Sequence, residues 1–494
     1  LGADQVVITE VLIIGSGAAG VTAAIEAKEA GAEVIVIEKS GFLGGAAAIS
    51  GGGCCLVGTS LQTEKGIEDS VDLAFDDWVK FGEGSADEEW ARFYLENTNN
   101  ELFEWASARG VEWDFVNHNE GNTVPRWHHP VGGGAGIWQA LHATAVARGV
   151  DQWIASTAAR KLLVEGGKVT GVRTENLETG ESTDYMAKSI VLASGGFNSN
   201  VEMVKESRPD LKDMRILEGT HPGDTGDGHA MVTKLGGTLT HMEDIWFYVF
   251  SIPDHRDERG KRGMAVRGMP HAVWVNMQGE RFHNEDLTGG NSGAPAVMSQ
   301  DPASCWSIID DSMTDGVTVS DPYYYLPGTS AKDPAKVEEL MKESPNIKHA
   351  DTLEELADKI GVPQRTFVES INRYNGFIDG GLEKDPDHGR NLTNKKMLEQ
   401  PPFHAFNYFP LARKNFGGVR TDFHCRITDK HFEVISGVYA AGELAGMAGG
   451  HINGKNGLEG TMLGPSLFSG RVAGAWAANG AGFGDGFKGS PTRD

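Results

Sequence analysis

The feature that most constrains this chain is a glycine-rich turn set between a strand and a helix close to its start. Val11-Leu-Ile-Ile14 is a short apolar run, Gly15-Ser-Gly-Ala-Ala-Gly20 follows it, and residues 21–30 carry the Ala and Glu content of a helix. Glu33-Val-Ile-Val-Ile37 then reads as a second strand that ends at Glu38. A GxGxxG string alone says little. Strand, turn, helix, strand and acid in this order form the fingerprint of a dinucleotide-binding βαβ unit. Gly15 permits the tight turn, Gly17 lets backbone approach a pyrophosphate, and Gly20 lets the helix pack on the strand. The helix N-terminus faces the phosphates, and Glu38 is placed to accept from a ribose hydroxyl.

Two later apolar runs closed by small residues, Ser189-Ile-Val-Leu-Ala-Ser-Gly-Gly196 and Gly437-Val-Tyr-Ala-Ala-Gly-Glu443, read as further sheet strands whose carboxyl ends touch a ligand. Between them lies a longer, more aromatic stretch with Trp246-Phe-Tyr-Val-Phe250 and Tyr323-Tyr-Tyr325. It also holds a helical pair over residues 352–377, broken by Gly361-Val-Pro363. This middle reads as an inserted second domain, and residues 380–402 as an exposed loop. The expected organisation is 1–242 and 415–494 for the two parts of the dinucleotide domain, with 243–414 inserted.

Composition narrows the function. With 44 Lys and Arg against 69 Asp and Glu, the net charge of −25 argues against nucleic acid or another polyanion as partner. Gly is abundant at 66 residues while Pro stands at 19, so the glycines belong to specific turns and close contacts, not to a low-complexity segment. The four cysteines, Cys54, Cys55, Cys305 and Cys425, show no CxxC or CxxCH spacing. No metal, cluster or haem site is therefore expected, and the cysteines read as small buried side chains. No run approaches the roughly 18 apolar residues of a membrane-spanning helix. A cytoplasmic location is expected, with export left open because the chain opens at Leu1 and not Met.

The strings resemble those of the FAD-dependent fumarate reductase and 3-ketosteroid dehydrogenase superfamily over nearly the whole chain. The resemblance is carried by residues 11–53, Val124-Pro-Arg-Trp-His-His-Pro130, Ala193-Ser-Gly-Gly-Phe197 and His221-Pro-Gly-Asp-Thr-Gly-Asp-Gly228. It continues through Ala265-Val-Arg-Gly268, Gly279-Glu-Arg-Phe-His-Asn-Glu285, Asn415-Phe-Gly-Gly-Val419, Ala440-Ala-Gly-Glu443 and Gly470-Arg-Val-Ala-Gly474. It implies an α/β fold: a Rossmann-like FAD-binding domain of the glutathione-reductase type with an inserted α+β cap domain. By the same resemblance FAD is lined by Gly15, Gly17, Ala18, Ala19, Gly20, Glu38, Lys39, Gly44, Gly45, Ala46, Ser50, Gly51, Gly52 and Gly53. Ala193, Ser194, Gly195, Asp227, Gly442, Glu443, Thr461, Met462 and Leu463 complete that set, with His221 and His229 in support. Relatives that bind FAD covalently carry a His near Ala46, and its absence implies non-covalent FAD.

The substrate positions depart from the fumarate-reducing branch. The proton-donating Arg of that branch falls at Gly289 and its dicarboxylate-clamping Arg at Gly457. A relay Glu falls at Met264, the relay Arg remains as Arg267, and two substrate-binding His fall at Tyr248 and Lys414. Glycine supplies neither a proton nor a bidentate fork for a carboxylate, so fumarate is not the expected substrate. The ketosteroid branch uses tyrosines near the flavin, which brings in Tyr248 or one of Tyr323, Tyr324 and Tyr325. In the loop Gly449-Gly-His-Ile-Asn-Gly-Lys-Asn-Gly-Leu-Glu-Gly460, the polar groups expected to face the pocket are His451, Asn453 and Lys455.

The expected chemistry is hydride transfer between flavin N5 and a carbon beside a carbonyl or carboxyl group, as C=C reduction or CH–CH dehydrogenation. Lys414 and Tyr248 are the leading catalytic candidates, with Arg267 as relay and His451 as a further one. An aromatic acrylate-type anion held by Lys414 and a non-catalytic electron-carrying flavoprotein subunit remain as alternatives. No second dinucleotide fingerprint is present, so an external electron partner is implied: a redox protein, a quinone or a soluble flavin.

Overall fold

Consecutive apolar residues in a strand, such as Val11–Ile14 and Ile190–Leu192, need cover on both faces, which is the condition of a parallel sheet flanked by helices. The computed structural model, which describes residues 3–219, 221–326 and 331–489, contains such a sheet. Its strands run in the order Arg426–Thr428, Val434–Ala440, Ser182–Leu192, β1 (Gln5–Ile14), β2 (Val34–Ile37) and Gln152–Ile154. β1 pairs in parallel with both β2 and Ser182–Leu192. Ser182–Leu192 pairs in parallel with Val434–Ala440 at its carboxyl half. At its amino half it takes the antiparallel strand Lys168–Asn176, itself hairpinned to Thr157–Glu165. Val11, Leu12 and Ile13 are fully buried, as are Ile190, Val191 and Leu192.

Helix α1 (Ala18–Glu29) follows β1 and is buried over most of its length because its face is built of Ala, Gly and Thr. The chain-terminal helix Leu463–Gly480 approaches it equally closely. A Cβ on Gly470 would stand 2.4 Å from the Ala19 carbonyl oxygen, and one on Gly474 2.3 Å from that of Ala23. Arg471 from this helix pairs with Glu26 of α1 at 2.6 Å.

The chain divides into two compact units: Leu1–Ser207 with Thr220–Ile245 and Lys414–Asp494, and Arg208–Gly219 with Trp246–Arg413. Residues 208–219, expected in the first unit, go with the second. Leu217 and Glu218 pair in parallel with Leu411 and Ala412 there. The second unit holds a four-stranded antiparallel sheet ordered Val273–Val275, Cys305–Asp310, Phe403–Tyr408 and Ile347–Ala350. Its helical pair is Leu353–Ile360 and Gln364–Asp379. Thr352 caps the first helix by accepting from Glu355 N, and Gly361 ends it in the left-handed region. Arg281 and Glu285 are ion-paired at 2.9 Å, and Arg281 also meets Asp385 at 2.9 Å. Among the described residues no helix is long and apolar enough to cross a membrane.

One polar cluster in the first unit is buried without dilution by solvent. Arg126 donates to Asp69 at 2.8 Å and to Asp77 at 2.5 Å, with side-chain exposures of 0%, 1% and 7%. Removing the guanidinium leaves two carboxylates in a dry environment. Arg126→Leu is therefore expected to destabilise this unit by about 3–5 kcal/mol. Asp72→Asn, which removes the partner of an exposed pair with Arg92, is expected to change stability by less than about 0.5 kcal/mol. Thermal melting of the two variants checks this, and equal shifts would contradict it.

Candidate functional site

The carboxyl ends of the parallel strands are laced together by backbone hydrogen bonds. Gly15 N donates to Ile37 O at 2.8 Å, Ala193 N to Ile14 O at 2.8 Å, Glu38 N to Ile154 O at 2.8 Å and Ala441 N to Leu192 O at 3.0 Å. This edge is where open α/β sheets bind ligands, and it gathers four of the segments expected to line FAD. Gly15 has φ +103°, and a Cβ there would lie 2.1 Å from Ala193 O; one on Gly20 would lie 1.9 Å from Gly15 O. A Cβ on Gly17 would meet only Gly44 O, at 3.8 Å. Gly15 and Gly20 are thus closed in by backbone, while Gly17 is the least crowded of the three. Gly17 caps α1 with no side-chain hydrogen bond, which leaves the first-turn N–H groups at Ala18, Ala19 and Gly20 for an anion.

Glu38 is more occupied than a ribose acceptor alone would be. Its carboxylate accepts from Ser16 N at 3.0 Å, Ser16 Oγ at 2.7 Å and Ser40 N at 2.8 Å. Ser16 Oγ in turn accepts from Gly44 N at 2.9 Å, so one carboxylate ties the glycine turn to the segment that starts the short helix Gly45–Ala48. Lys39 and Asp227 form an ion pair at 2.7 Å, with Thr225 Oγ1 2.7 Å from the same ammonium. Ser50 Oγ donates to Ala47 O and accepts from Gly52 N. Nothing lies within 4 Å of a Cβ built on Gly51, and Gly53 continues this segment. Ser194 Oγ is buried without a partner, beside Gly195 at φ +76°. Gly442 N donates to Ser469 Oγ at 3.0 Å. Glu443 Oε1 accepts from Asn415 N at 3.1 Å and Asn198 Nδ2 at 3.2 Å. Thr461 accepts at its carbonyl from Asn453 Nδ2 at 3.0 Å, ahead of Met462 and Leu463 at the start of the last helix. Open glycine cradles, uncapped N–H groups and an orphaned hydroxyl are what a bound dinucleotide requires, so these residues fit FAD.

The catalytic candidates fall in both units. In the second, Tyr248 is buried on the strand Ile245–Tyr248. The Arg267 guanidinium lies 5.0 Å from its ring centroid and 4.6 Å from that of Phe250; Arg413 lies 5.4 Å from the Tyr248 ring. A cation over the π face is attracted by the ring quadrupole and orients the ring. Tyr325 is raised above its ordinary pKa by burial, opposed by Arg267 and Arg413. Met264 is buried on the strand Gly263–Arg267. Gly289 O accepts from Ser292 N and Ala294 N, both at 3.2 Å, at the start of the helix Gly293–Met298.

In the first unit, Lys414 is half-buried on the strand Leu411–Asn415. Lys455 is exposed, 3.9 Å from Glu83. His451 is held by Asp244, with Nε2 2.8 Å from Oδ2, and stacks on His241 at 3.7 Å. Sequence reading passed over His241 and Asp244, which lie some two hundred positions from His451 and carry no spacing signal. Phe416 was read only as part of the Asn415-Phe-Gly-Gly-Val419 string, with no role of its own. A Cβ on Gly457 would come within 2.9 Å of both Phe416 Cε1 and Thr461 Oγ1, so a side chain at position 457 requires the ring or the hydroxyl to shift.

His221 Nδ1 accepts from Gly223 N at 3.0 Å, bracing the turn before Asp227. His229 is fully buried with neither ring nitrogen partnered, and burial pulls its imidazole from 6.5 down to about 4.

Two outcomes follow from this geometry. Glu38→Ala removes an acceptor from three donors and is expected to weaken FAD retention by roughly 10- to 100-fold, the effect of about 1.5–3 kcal/mol from hydrogen bonds to a charged group; flavin fluorescence on dilution measures it. Between about pH 6.5 and 4 the unfolded chain binds a proton at residue 229 that the folded chain refuses. Stability from this site is complete above 6.5 and declines as pH falls toward 4. His229→Leu is expected to flatten that decline in urea melts, and an unchanged pH slope would contradict the assignment.

Residues 10–463 match the family described as FAD binding domain. The protein named probable fumarate reductase Ifc3 of Shewanella frigidimarina is 31% identical over 475 residues, covering 95% of this chain and 75% of that one. An open conformation of a flavocytochrome c3 fumarate reductase superposes with a TM-score of 0.78 at 29% identity, over 97% of this chain and 79% of that one. A 3-ketosteroid-Δ4-(5α)-dehydrogenase from Rhodococcus jostii, solved with 4-androstene-3,17-dione, superposes with a TM-score of 0.70 at 26% identity, over 97% and 98%. The chain belongs to the FAD binding domain family, and with fumarate reductases and ketosteroid dehydrogenases among its relatives it is a flavoprotein oxidoreductase acting on CH–CH groups.

Proposed function

We propose that this flavoprotein reduces, or by reversal introduces, the C=C bond of an α,β-unsaturated carbonyl or carboxyl compound with an apolar or aromatic body, and that a small dicarboxylate such as fumarate is a poor substrate. The observation that carries this reading is the packing at Gly457. The position where fumarate-reducing relatives are expected to place a clamping arginine is filled from the side by the Phe416 ring and Thr461. A guanidinium that would fork onto a second carboxylate is replaced by the edge of an aromatic ring beside a threonine hydroxyl. Fumarate reductases nonetheless stand among the relatives, which makes the substrate the point to test.

Bound FAD supplies the hydride chemistry at N5. The chain's own task is to place the substrate, to put positive charge or a hydrogen-bond donor at the carbonyl oxygen, and to move one proton. Lys414 is assigned to the oxygen, and Tyr248, with Arg267 and Arg413 against its ring, to the proton. FAD is held without a covalent bond through the turn and loop residues described above, since no histidine stands at or beside Ala46. Electrons are exchanged with an external carrier.

Protein reduced anaerobically with dithionite is to be mixed with fumarate, an aryl acrylate and a 3-keto-4-ene steroid while flavin reoxidation is followed. Fumarate is expected to react at least about 10-fold more slowly than the best of the others, the effect of losing one charge-assisted contact of about 1.5 kcal/mol. Equal or faster reaction with fumarate would overturn the reading, and no reaction with any of them would favour a non-catalytic electron carrier. Lys414→Met is expected to lower kcat/KM by roughly 10- to 100-fold at unchanged FAD content, again on the scale of one charged hydrogen bond. Acid precipitation is expected to leave all flavin in the supernatant.

A further inference from the structure

Away from the glycine turn, three side chains of the first unit meet at one point. His241 and Asp244 lie just after the strand Leu239–Thr240, and His451 lies in the loop that follows Gly449. His451 Nε2 is 2.8 Å from Asp244 Oδ2, and His241 Nδ1 is 3.9 Å from the same oxygen. The nitrogen and oxygen atoms that the three residues offer all lie within 4.8 Å of one another. Ligands about 2.0–2.1 Å from a tetrahedral zinc ion stand about 3.3 Å apart. The two separations to Asp244 Oδ2, 2.8 and 3.9 Å, bracket that spacing.

The surroundings distinguish this cluster from a chance surface group. His451 and Asp244 have side-chain exposures of 5% and 13%, whereas that of His241 is 47%. Two groups are fixed from inside and the third closes the set from solvent. The backbone carrying them is held. His241 sits at φ +51°, in the left-handed region that few non-glycine residues adopt. Gly417 lies so close beneath it that a Cβ would be 2.0 Å from His241 O. Asp244 O accepts from Phe416 N at 2.8 Å, and His451 O from Asp87 N at 3.0 Å. The two imidazoles are stacked, with planes 7° apart. Both lone pairs reach one ion once the half-exposed His241 ring turns out of the stack.

We propose that His241, Asp244 and His451 bind a divalent cation of the zinc class, with two imidazole nitrogens and one carboxylate oxygen as ligands and water in the remaining position. The ion joins the turn before Ile245 to the loop that leads through Gly457 to Thr461.

The test uses the FAD-loaded full chain, stripped with EDTA and dialysed against zinc chloride, with zinc and FAD counted in the same sample. One zinc per FAD is expected in the parent protein and in His431→Ala, which removes an exposed histidine elsewhere. His241→Ala is expected to lose at least about tenfold in zinc affinity, on the scale of a lost ligand or its support, while keeping its FAD and its visible circular dichroism. Cobalt in place of zinc gives a visible absorption that reports the ligand set and disappears in the same variant. Substoichiometric zinc in the parent protein, or zinc binding unchanged by His241→Ala, overturns the proposal and leaves a hydrogen-bonded His–Asp pair under a stacked ring.

Discussion

The first unit depends on backbone meeting backbone at the end of β1. Ala193 O would be 2.1 Å from a Cβ at Gly15, and Gly15 O 1.9 Å from a Cβ at Gly20. These two approaches set where Ser182–Leu192, β1 and α1 stand relative to one another. They also leave the first-turn N–H groups of α1 without a side-chain cap at Gly17. Side chains then secure what the backbone places. The Glu38 carboxylate takes Ser16 and Ser40, and Ser16 takes Gly44. The expectation that Glu38 faces a ribose therefore acquires a second part: the same carboxylate holds the loop that closes the site.

This core was legible from sequence because its signal is local. A strand, a turn of fixed glycine offsets, a helix and an acid lie within one short stretch, and each residue type has one physical reason to be there. The same logic found the strands ending at Leu192 and Ala440. It underestimated the lengths of β1 and of the strand ending at Leu192, since Gln5 to Thr9 and Thr183 to Ala187 pair with each other despite mixed composition. That pairing is a tertiary fact, and alternation within one strand does not reveal it. Residues 208–219 escaped for the same reason, because their membership in the second unit comes from the partner strand Leu411–Asn415.

The site beyond the cofactor was legible only in part. Asn198, Asn415 and Glu443 form a hydrogen-bonded group drawn from three segments; of these only Glu443 was given a role beforehand, and Asn415 was read only within its string. His451 was singled out for a pocket-facing role, but its ring nitrogen is engaged by Asp244. A histidine in a glycine-rich loop looks free until its partner arrives from a distant turn. Composition along the loop carries no trace of that partner.

Substitution of arginine by glycine is usually read as loss of a charge. Here it is also a change of shape. Phe416 and Thr461 press on Gly457 closely enough that a Cβ would meet each at 2.9 Å. Restoring arginine at 457 would therefore first require moving an aromatic ring whose own backbone N–H is bonded to Asp244 O. Glycine and phenylalanine form one packed unit, and changing either alone leaves a clash or a void. Two positions far apart in sequence thus act as a single determinant. On the proposed reading, an aromatic wall in place of a cationic fork turns recognition from a terminal carboxylate toward an apolar body, while the glycine turn proposed to hold the flavin is left untouched.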